Sequence, residues 1–225
     1  IHNGPTEIGG LFLAPAYRGR GCGKLLSLSR FAYMAAHPKR FATQTIAEMR
    51  GNIDGVGASP FWDAIGAHFF KIDFPLADSL SMVDKQFIED LMPRYPIYLD
   101  LLPRSAVDCI GHVHEQTEPA LAMLRAQGFE CNGLIDIFDG GPVVECKTQE
   151  IVAVRDARHL QLVCQSELQG NESAQTISRA IVSTSRSPFV SIQCEAIATD
   201  NSIAIHESSL AALQASVSDA VWLIE

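Results

Sequence analysis

Positive charge is scarce in this sequence. Its 17 lysines and arginines face 26 aspartates and glutamates, a formal net charge of -9. That balance excludes the basic field with which a nucleic-acid scaffold holds phosphates. An anionic small molecule seated on local backbone donors remains open. Long apolar runs are absent, so no segment spans a bilayer and none has the pattern of a secretory leader. There are six cysteines, Cys22, Cys109, Cys131, Cys146, Cys164 and Cys194. No two form C-x-x-C and none has a histidine at zinc-finger spacing, so neither a metal site nor a redox motif is expected. With 47% apolar and 19% charged residues, a chain of 225 residues can bury a core without disulfide staples. Reduced thiols and a cytoplasmic location are therefore expected. The chain opens at Ile1 without methionine, which leaves trimming, proteolysis or further N-terminal polypeptide open.

What is present reads as alternating strands and helices. Residues 7–13 are short, apolar and stopped by Ala14-Pro15, as a buried strand would be. A basic, glycine-rich turn over residues 17–24 follows, then a helix with Leu25, Leu28, Phe31, Ala32 and Ala35 on one face, ended by His37-Pro38. Residues 43–49 read as a strand and 52–60 as a loop. Ser59 is an N-cap with Pro60 at the first helical position. Residues 69–74 read as strand and 75–104 as irregular, with a two-proline loop over 92–98. Thr117, Pro119 and Gly128 bound a helix of about nine residues. Residues 134–138 form a short strand closed by Asp139-Gly140-Gly141-Pro142, a turn signal. From about Thr148 serine, glutamine and threonine rise and short strands alternate, including 151–154, 180–184, 189–194 and 220–224. This divides the chain into a mixed α/β core, 1–147, and a small β-rich C-terminal appendage, 148–225.

The sharpest local signal is Arg18-Gly19-Arg20-Gly21-Cys22-Gly23, followed by Lys24, between a strand and a helix. Glycines let backbone approach a diphosphate, and amides at a helix N-terminus point at it with a favourable dipole. Gly21, Cys22, Gly23 and Lys24 would supply those amides. The spacing is wrong for a dinucleotide G-x-G-x-x-G, and a nucleoside-triphosphate loop would need G-K-S/T. The run does fit R/Q-x-x-G-x-G/A, the acyl-CoA pyrophosphate loop of the GNAT acyltransferases. The order strand, loop, helix, strand, helix is that of the C-terminal half of their fold.

Several strings go further: A-E-M-R-G at 47–51, S-P-F-W at 59–62, M-P-x-x-P-I-Y at 92–98, G-x-V-H at 111–114, I-D-I-F-D-G-G-P at 135–142 and E-C at 145–146. On these the chain resembles the arginine N-succinyltransferases, from about Glu7 to Arg158 and more loosely through the tail. The resemblance implies transfer of succinyl from succinyl-CoA to the α-amino group of L-arginine, without a metal or a permanently bound cofactor. It implies CoA contacts from Leu11, Phe12, Leu13, Arg18, Gly19, Gly21, Cys22, Gly23 and Lys24, with Leu11 the residue that matches the family's succinyl-CoA contact. His114 matches the family's proton donor, although Glu115 stands where family members have proline. His112 is its nearest competitor. No covalent intermediate is required, so neither Cys22 nor Cys109 is expected to act as a nucleophile. Glu48, Asp54, Asp136 and Asp139 are candidates for the guanidinium, and Arg50 or Arg94 for a carboxylate. The GNAT core starts with strands and helices that precede residue 7, so an N-terminal part or companion subunit completing the sheet is expected, in an oligomer. An ornithine acyltransferase and a silent acyl-CoA-binding subunit are the alternatives.

Overall fold

The structure, a computed structural model, describes residues 4–53, 57–81, 83, 86–91 and 93–225. In chain order β1 (Thr6–Glu7) is followed by α1 (Cys22–Ala36) and β2 (Gln44–Glu48). A π-turn at Trp62–Gly66 leads into α2 (Ala67–Phe70), then α3 (Phe74–Ser81), α4 (Gln86–Leu91), α5 (Arg104–Val107) and α6 (Glu118–Ala126). Next come β3 (Glu130–Ile135), β4 (Pro142–Lys147), α7 (Val152–Arg155), β5 (Arg158–Leu162) and α8 (Gln165–Leu168). The chain ends with β6 (Gln175–Thr184), β7 (Ser191–Ala198), β8 (Ser202–Ile205), α9 (Glu207–Leu213) and β9 (Ala220–Ile224). Residues group into two compact units, one of Gly10–Gln44 and Lys147–Glu225 with residues 4–6, the other of Glu7–Gly9 and Thr45–Cys146.

The first unit is built on a closed five-stranded barrel, ordered β5-β8-β7-β6-β9. Only β5 and β8 run parallel; the other pairs are antiparallel. Closure leaves no edge to template foreign strands, and the interior is filled by Leu160, Val182, Ile203, Leu213 and Leu223, among others. Helix α1 packs against β6, β7, β9 and α7. It buries Leu28, Phe31, Ala32, Met34 and Ala35, the expected stripe with Met34 added and Leu25 only half-buried. His37 caps it through bonds to the Tyr33 and Met34 carbonyls, and Pro38 stops it. Residues 151–154 are not a strand. Val154, Arg155 and Asp156 bond back to Ile151 and Val152, which closes a helical turn that buries Ile151, Ala153 and Val154. A four-residue apolar run carries no period that separates the two outcomes.

The second unit holds a sheet of order β1-β2-β4-β3. The bonds Met49 N to Pro142 O and Thr148 N to Thr43 O make β2 and β4 antiparallel, and β3 pairs antiparallel with β4. Along β1 and β2 the contacts Ala42 N to Thr6 Oγ1 and Ile8 N to Ile46 O advance together, the sense of a parallel pair. The sheet is therefore mixed, and the fold is the expected mixed α/β class. The strand expected over 7–13 stops at Ile8. Gly9 and then Gly10, at φ +64°, end the pairing, and Leu11 and Phe12 are exposed rather than buried.

Trp62 anchors this unit. It is fully buried, stacked on Phe138 at 5.4 Å and tilted against Phe70 at 5.2 Å, with its indole N–H on the Ile72 carbonyl. A side chain at Gly66 would sit 2.1 Å from the Trp62 ring, so the π-turn requires glycine there. Ser59 caps this segment as expected, accepting from Trp62 N and donating to Phe138 O. The strand expected at 69–74 is absent. Lys71 turns left-handed at φ 57°, Asp73 caps α3 through Leu76 N, and Phe70 and Phe74 face Trp62 from two helices. Residues 134–138 are strand only as far as Ile135, because the Asp136 carboxylate accepts from Phe138 N and Asp139 N and curls the chain there.

Candidate active site

In the barrel unit the glycine-rich run forms a turn at the head of α1. Gly19 and Gly21 sit at φ 78° and 81°, conformations open to glycine, and Gly21 is the N-cap. The first intrahelical bond is Leu25 N to Gly21 O. The N–H groups of Cys22, Gly23 and Lys24 lie ahead of it, with no side-chain cap and no acidic residue in the first turn. That is the donor set an anionic phosphate requires, with Arg18 and Lys24 exposed at the same turn. Arg18 Nε donates to the Leu13 carbonyl at 3.1 Å, which ties the turn to the chain before it. Leu13, Cys22, Leu25, Leu26, Ser29 and Phe189 line a cleft of about 340 Å³. Of the residues matched to CoA contacts, Leu11 and Phe12 present exposed side chains, whereas Gly21, Cys22 and Gly23 are half-buried.

In the sheet unit three distant strings meet through their backbones. His114 N donates to Arg50 O at 2.9 Å, Gly51 bridges Val113, and Gly111 N donates to Gly140 O at 2.8 Å. The glycines permit this. A Cβ on Gly51 would lie 2.5 Å from Asp139 O, and one on Gly141 2.0 Å from Met49 O. His114 is half-buried at the head of a 3-10 turn, Glu115–Thr117, that runs into α6. Its Nδ1 accepts from Gln116 N at 3.1 Å. Beside it, the Arg50 guanidinium lies over the Phe74 ring, 3.5 Å from Asp78 and 3.9 Å from Asp139. Asp139 is 5% exposed and accepts from Gly141 N at 2.9 Å, so it is a held, interior carboxylate.

The other candidates are spread around this junction. Burial pushes the Asp136 carboxyl up to about 6, against the Phe138 amide, with Asp139 and Glu48 adding to the rise. Glu48 is exposed at the end of β2, Arg94 is exposed in the 93–98 segment, and Asp54 lies outside the described residues. His112 is exposed, its Nδ1 on the Ile110 carbonyl. Phe74 and Asp78, which hold Arg50, were not anticipated. Both lie on α3, in a segment without a clear apolar period. Among the described residues no group of histidine, cysteine and acidic side chains could hold a metal, and no helix is long and apolar enough to cross a membrane.

The fold is of the acyl-CoA N-acyltransferase class, with an open helix terminus after a glycine turn in the barrel unit and a mixed sheet in the other unit. The comparisons narrow this. Residues 1–153 match the family model described as arginine N-succinyltransferase beta subunit, and the chain belongs to that family. Proteins named arginine N-succinyltransferase from Escherichia coli strains UMN026 and K12 are each 46% identical over 171 residues, 76% of this chain. The chain spans about half (50%) of the length of these curated relatives. A solved structure titled arginine/ornithine succinyltransferase subunit AI, from Pseudomonas aeruginosa, superposes with a TM-score of 0.79 at 27% identity, covering 95% of this chain and 60% of that one.

Proposed function

We propose that this chain belongs to an enzyme transferring succinyl from succinyl-CoA to the α-amino group of L-arginine, giving N2-succinylarginine and CoA in arginine catabolism. The observation that carries the proposal is the family match over residues 1–153, which includes both the open α1 terminus and the junction at His114. The CoA pyrophosphate binds the amides of Cys22, Gly23 and Lys24 with Arg18, and Leu11 to Leu13 run along the pantetheine arm. The amine attacks the thioester carbonyl, a tetrahedral oxyanion forms and thiolate leaves. His114 is the donor group by its match to the family's proton donor. Among the described residues, Asp78 and Asp139 share one cation, Arg50, and Asp136 lies near Asp139. That surplus suits a guanidinium substrate.

Further polypeptide completes the assembly on this reading, since the matched 171 residues are only 50% of each relative and β1 is an edge strand of two residues. Six cysteines outside any disulfide fit a reducing, cytoplasmic setting. Thiol release from succinyl-CoA, with and without L-arginine, tests the proposal, with acetyl-CoA and L-ornithine as comparisons. Arginine-dependent release from succinyl-CoA is expected. Faster release with ornithine moves the amine specificity, a second reading favoured by the arginine/ornithine title of the structural neighbour. No release with any pair, alongside saturable CoA binding, replaces the proposal by a silent acyl-CoA-binding subunit.

A further inference from the structure

The cleft beside the glycine-rich turn is closed by a part of the chain that the family match does not reach. Cys22, Leu25, Leu26 and Ser29 recur at helical spacing on one side of α1, so the cleft starts at the first turn of the helix and runs about 10 Å along it. Phe189, in the connection from β6 to β7, and Ser191, at the head of β7, line it from the barrel. Both lie beyond the matched residues 1–153. The connection is firmly held. Ser183 and Ser191 share a hydroxyl bond at 2.7 Å, and Thr184 N donates to Val190 O and Val190 N to Thr184 Oγ1, both at 2.9 Å. Tyr33 meets Phe189 in a T-shaped contact at 5.0 Å, which takes up at most one face of the Phe189 ring. Gln193 lies on the same side of β7 as Ser191, and its Oε1 stands 3.2 Å from where a Cβ on Gly21 would be. The barrel thus reaches the turn itself, and turn and cleft share Cys22.

We infer that this cleft seats the nucleoside end of acyl-CoA, with the adenine against the open face of Phe189 and the diphosphate on the amides at the head of α1. The inference rests on the acyl-transfer reading proposed above. A diphosphate on the amides of Cys22, Gly23 and Lys24 has two substituents to place. One is the pantetheine arm, a flexible chain of amides that pairs best with extended backbone. The other is a flat base, which suits an aromatic face, an apolar wall and a few hydroxyls. The cleft offers that second set: Phe189, then Leu25 and the exposed Leu26, then Ser29 and Ser191. Ser29 Oγ donates to Leu26 O at 3.0 Å, so its lone pairs stay open to a donor on the ligand. At about 340 Å³ the cleft is near the small end of ligand pockets, about 300–1,000 Å³, which suits a nucleoside better than a whole CoA. Arg18, Arg20 and Lys24, exposed at the same turn, supply positive charge for the phosphate on the ribose.

Phosphopantetheine keeps the arm and one phosphate but lacks the nucleoside, so the preference for CoA over phosphopantetheine reads the nucleotide end. In calorimetry on the full-length protein, Phe189→Ala should lower that preference about 10-fold and leave phosphopantetheine affinity unchanged. Phe189→Trp keeps an aromatic face and should restore it to within about 2-fold. Leu26→Gln, at an exposed helix position away from the Tyr33 contact, should lower the preference at least about 3-fold, and it reads the cleft even where the alanine variant melts lower. A preference unchanged in both Phe189→Ala and Leu26→Gln overturns the inference. So does an equal loss for both ligands, which would put the arm in the cleft. A wild-type protein that binds CoA no tighter than phosphopantetheine also overturns it, while arginine-dependent thiol release would leave the acyl-transfer reading standing. Binding of neither ligand refutes the acyl-CoA reading and this inference with it.

Discussion

Replacing Gly51 by alanine should open the junction that presents His114. The new methyl would meet Asp139 O at 2.5 Å, Asp139 Oδ1 at 2.6 Å and Gly141 N at 2.7 Å. Two of these atoms are backbone, and the third is a carboxylate oxygen held by Gly141 N. None can rotate away, so the strings must separate by nearly an ångström. Overpacking of this kind costs about 1–3 kcal/mol, and each backbone bond lost with it about 1 kcal/mol. The bonds at risk are Gly111 N to Gly140 O and His114 N to Arg50 O. A total of about 3 kcal/mol corresponds to a fall in Tm of about 6–12 °C for a chain of this size. The proper comparison is Gly170→Ala. Gly170 has φ +80° with nothing within 4 Å, so alanine there meets only the left-handed penalty of about 1 kcal/mol. Thermal melts followed by circular dichroism, together with arginine-dependent CoA release, measure both effects. Activity of Gly51→Ala should fall at least about 10-fold, because His114 shifts with its backbone partner. A Gly51→Ala protein melting no lower than Gly170→Ala would refute the close-approach argument.

Other tests read other parts of the molecule. Asp136, buried and pushed up to about 6, fits the fold best when protonated. Its contribution to stability is therefore fully present below the ordinary carboxyl pKa near 4 and is lost as pH rises through about 6. Asp136→Asn keeps an acceptor for the Phe138 and Asp139 amides, so it should gain on the order of 2 kcal/mol at pH 8 and nothing at pH 4, in urea unfolding. A gain independent of pH would contradict the burial argument. Gly21→Val places a branched side chain at φ 81°, with its Cβ 3.2 Å from Gln193 Oε1, at the mouth of the open helix terminus. CoA affinity measured by calorimetry should fall at least about 10-fold; unchanged affinity would remove this turn from the CoA site. A thiol reagent should modify exposed Cys131 and Cys164 first. Buried Cys109, whose thiol is pushed up by burial and then by Asp108 and Asp139, and buried Cys146 should react only on unfolding.

Much of the local structure was legible along the chain because its causes are local. The stripe of α1 and its stop at His37-Pro38, the Ser59 cap, the nine-residue helix before Gly128 and the open terminus after Gly21 each follow from residues within a few positions of one another. The donor set for a phosphate was visible for the same reason, since it needs only glycines and a helix after them. His114 could be nominated only through resemblance, because a lone histidine carries no spacing signal. The failures were short apolar runs. Residues 11–13, 69–74 and 151–154 have strand-like composition, yet two glycines, a left-handed Lys71 and a helical turn under Ile151 decided them.

What the sequence by itself determined was the set of elements with strong caps and periods, and the chemistry of the glycine turn. Tertiary structure alone decided that β5 to β9 close into a barrel that α1 packs against, and that Arg50, His114 and Asp139 meet. Their junction depends on backbone bonds between segments tens of residues apart, and local propensity is blind to such bonds. The register that forms is the one in which Gly51 and Gly141 let three main chains approach within hydrogen-bonding distance.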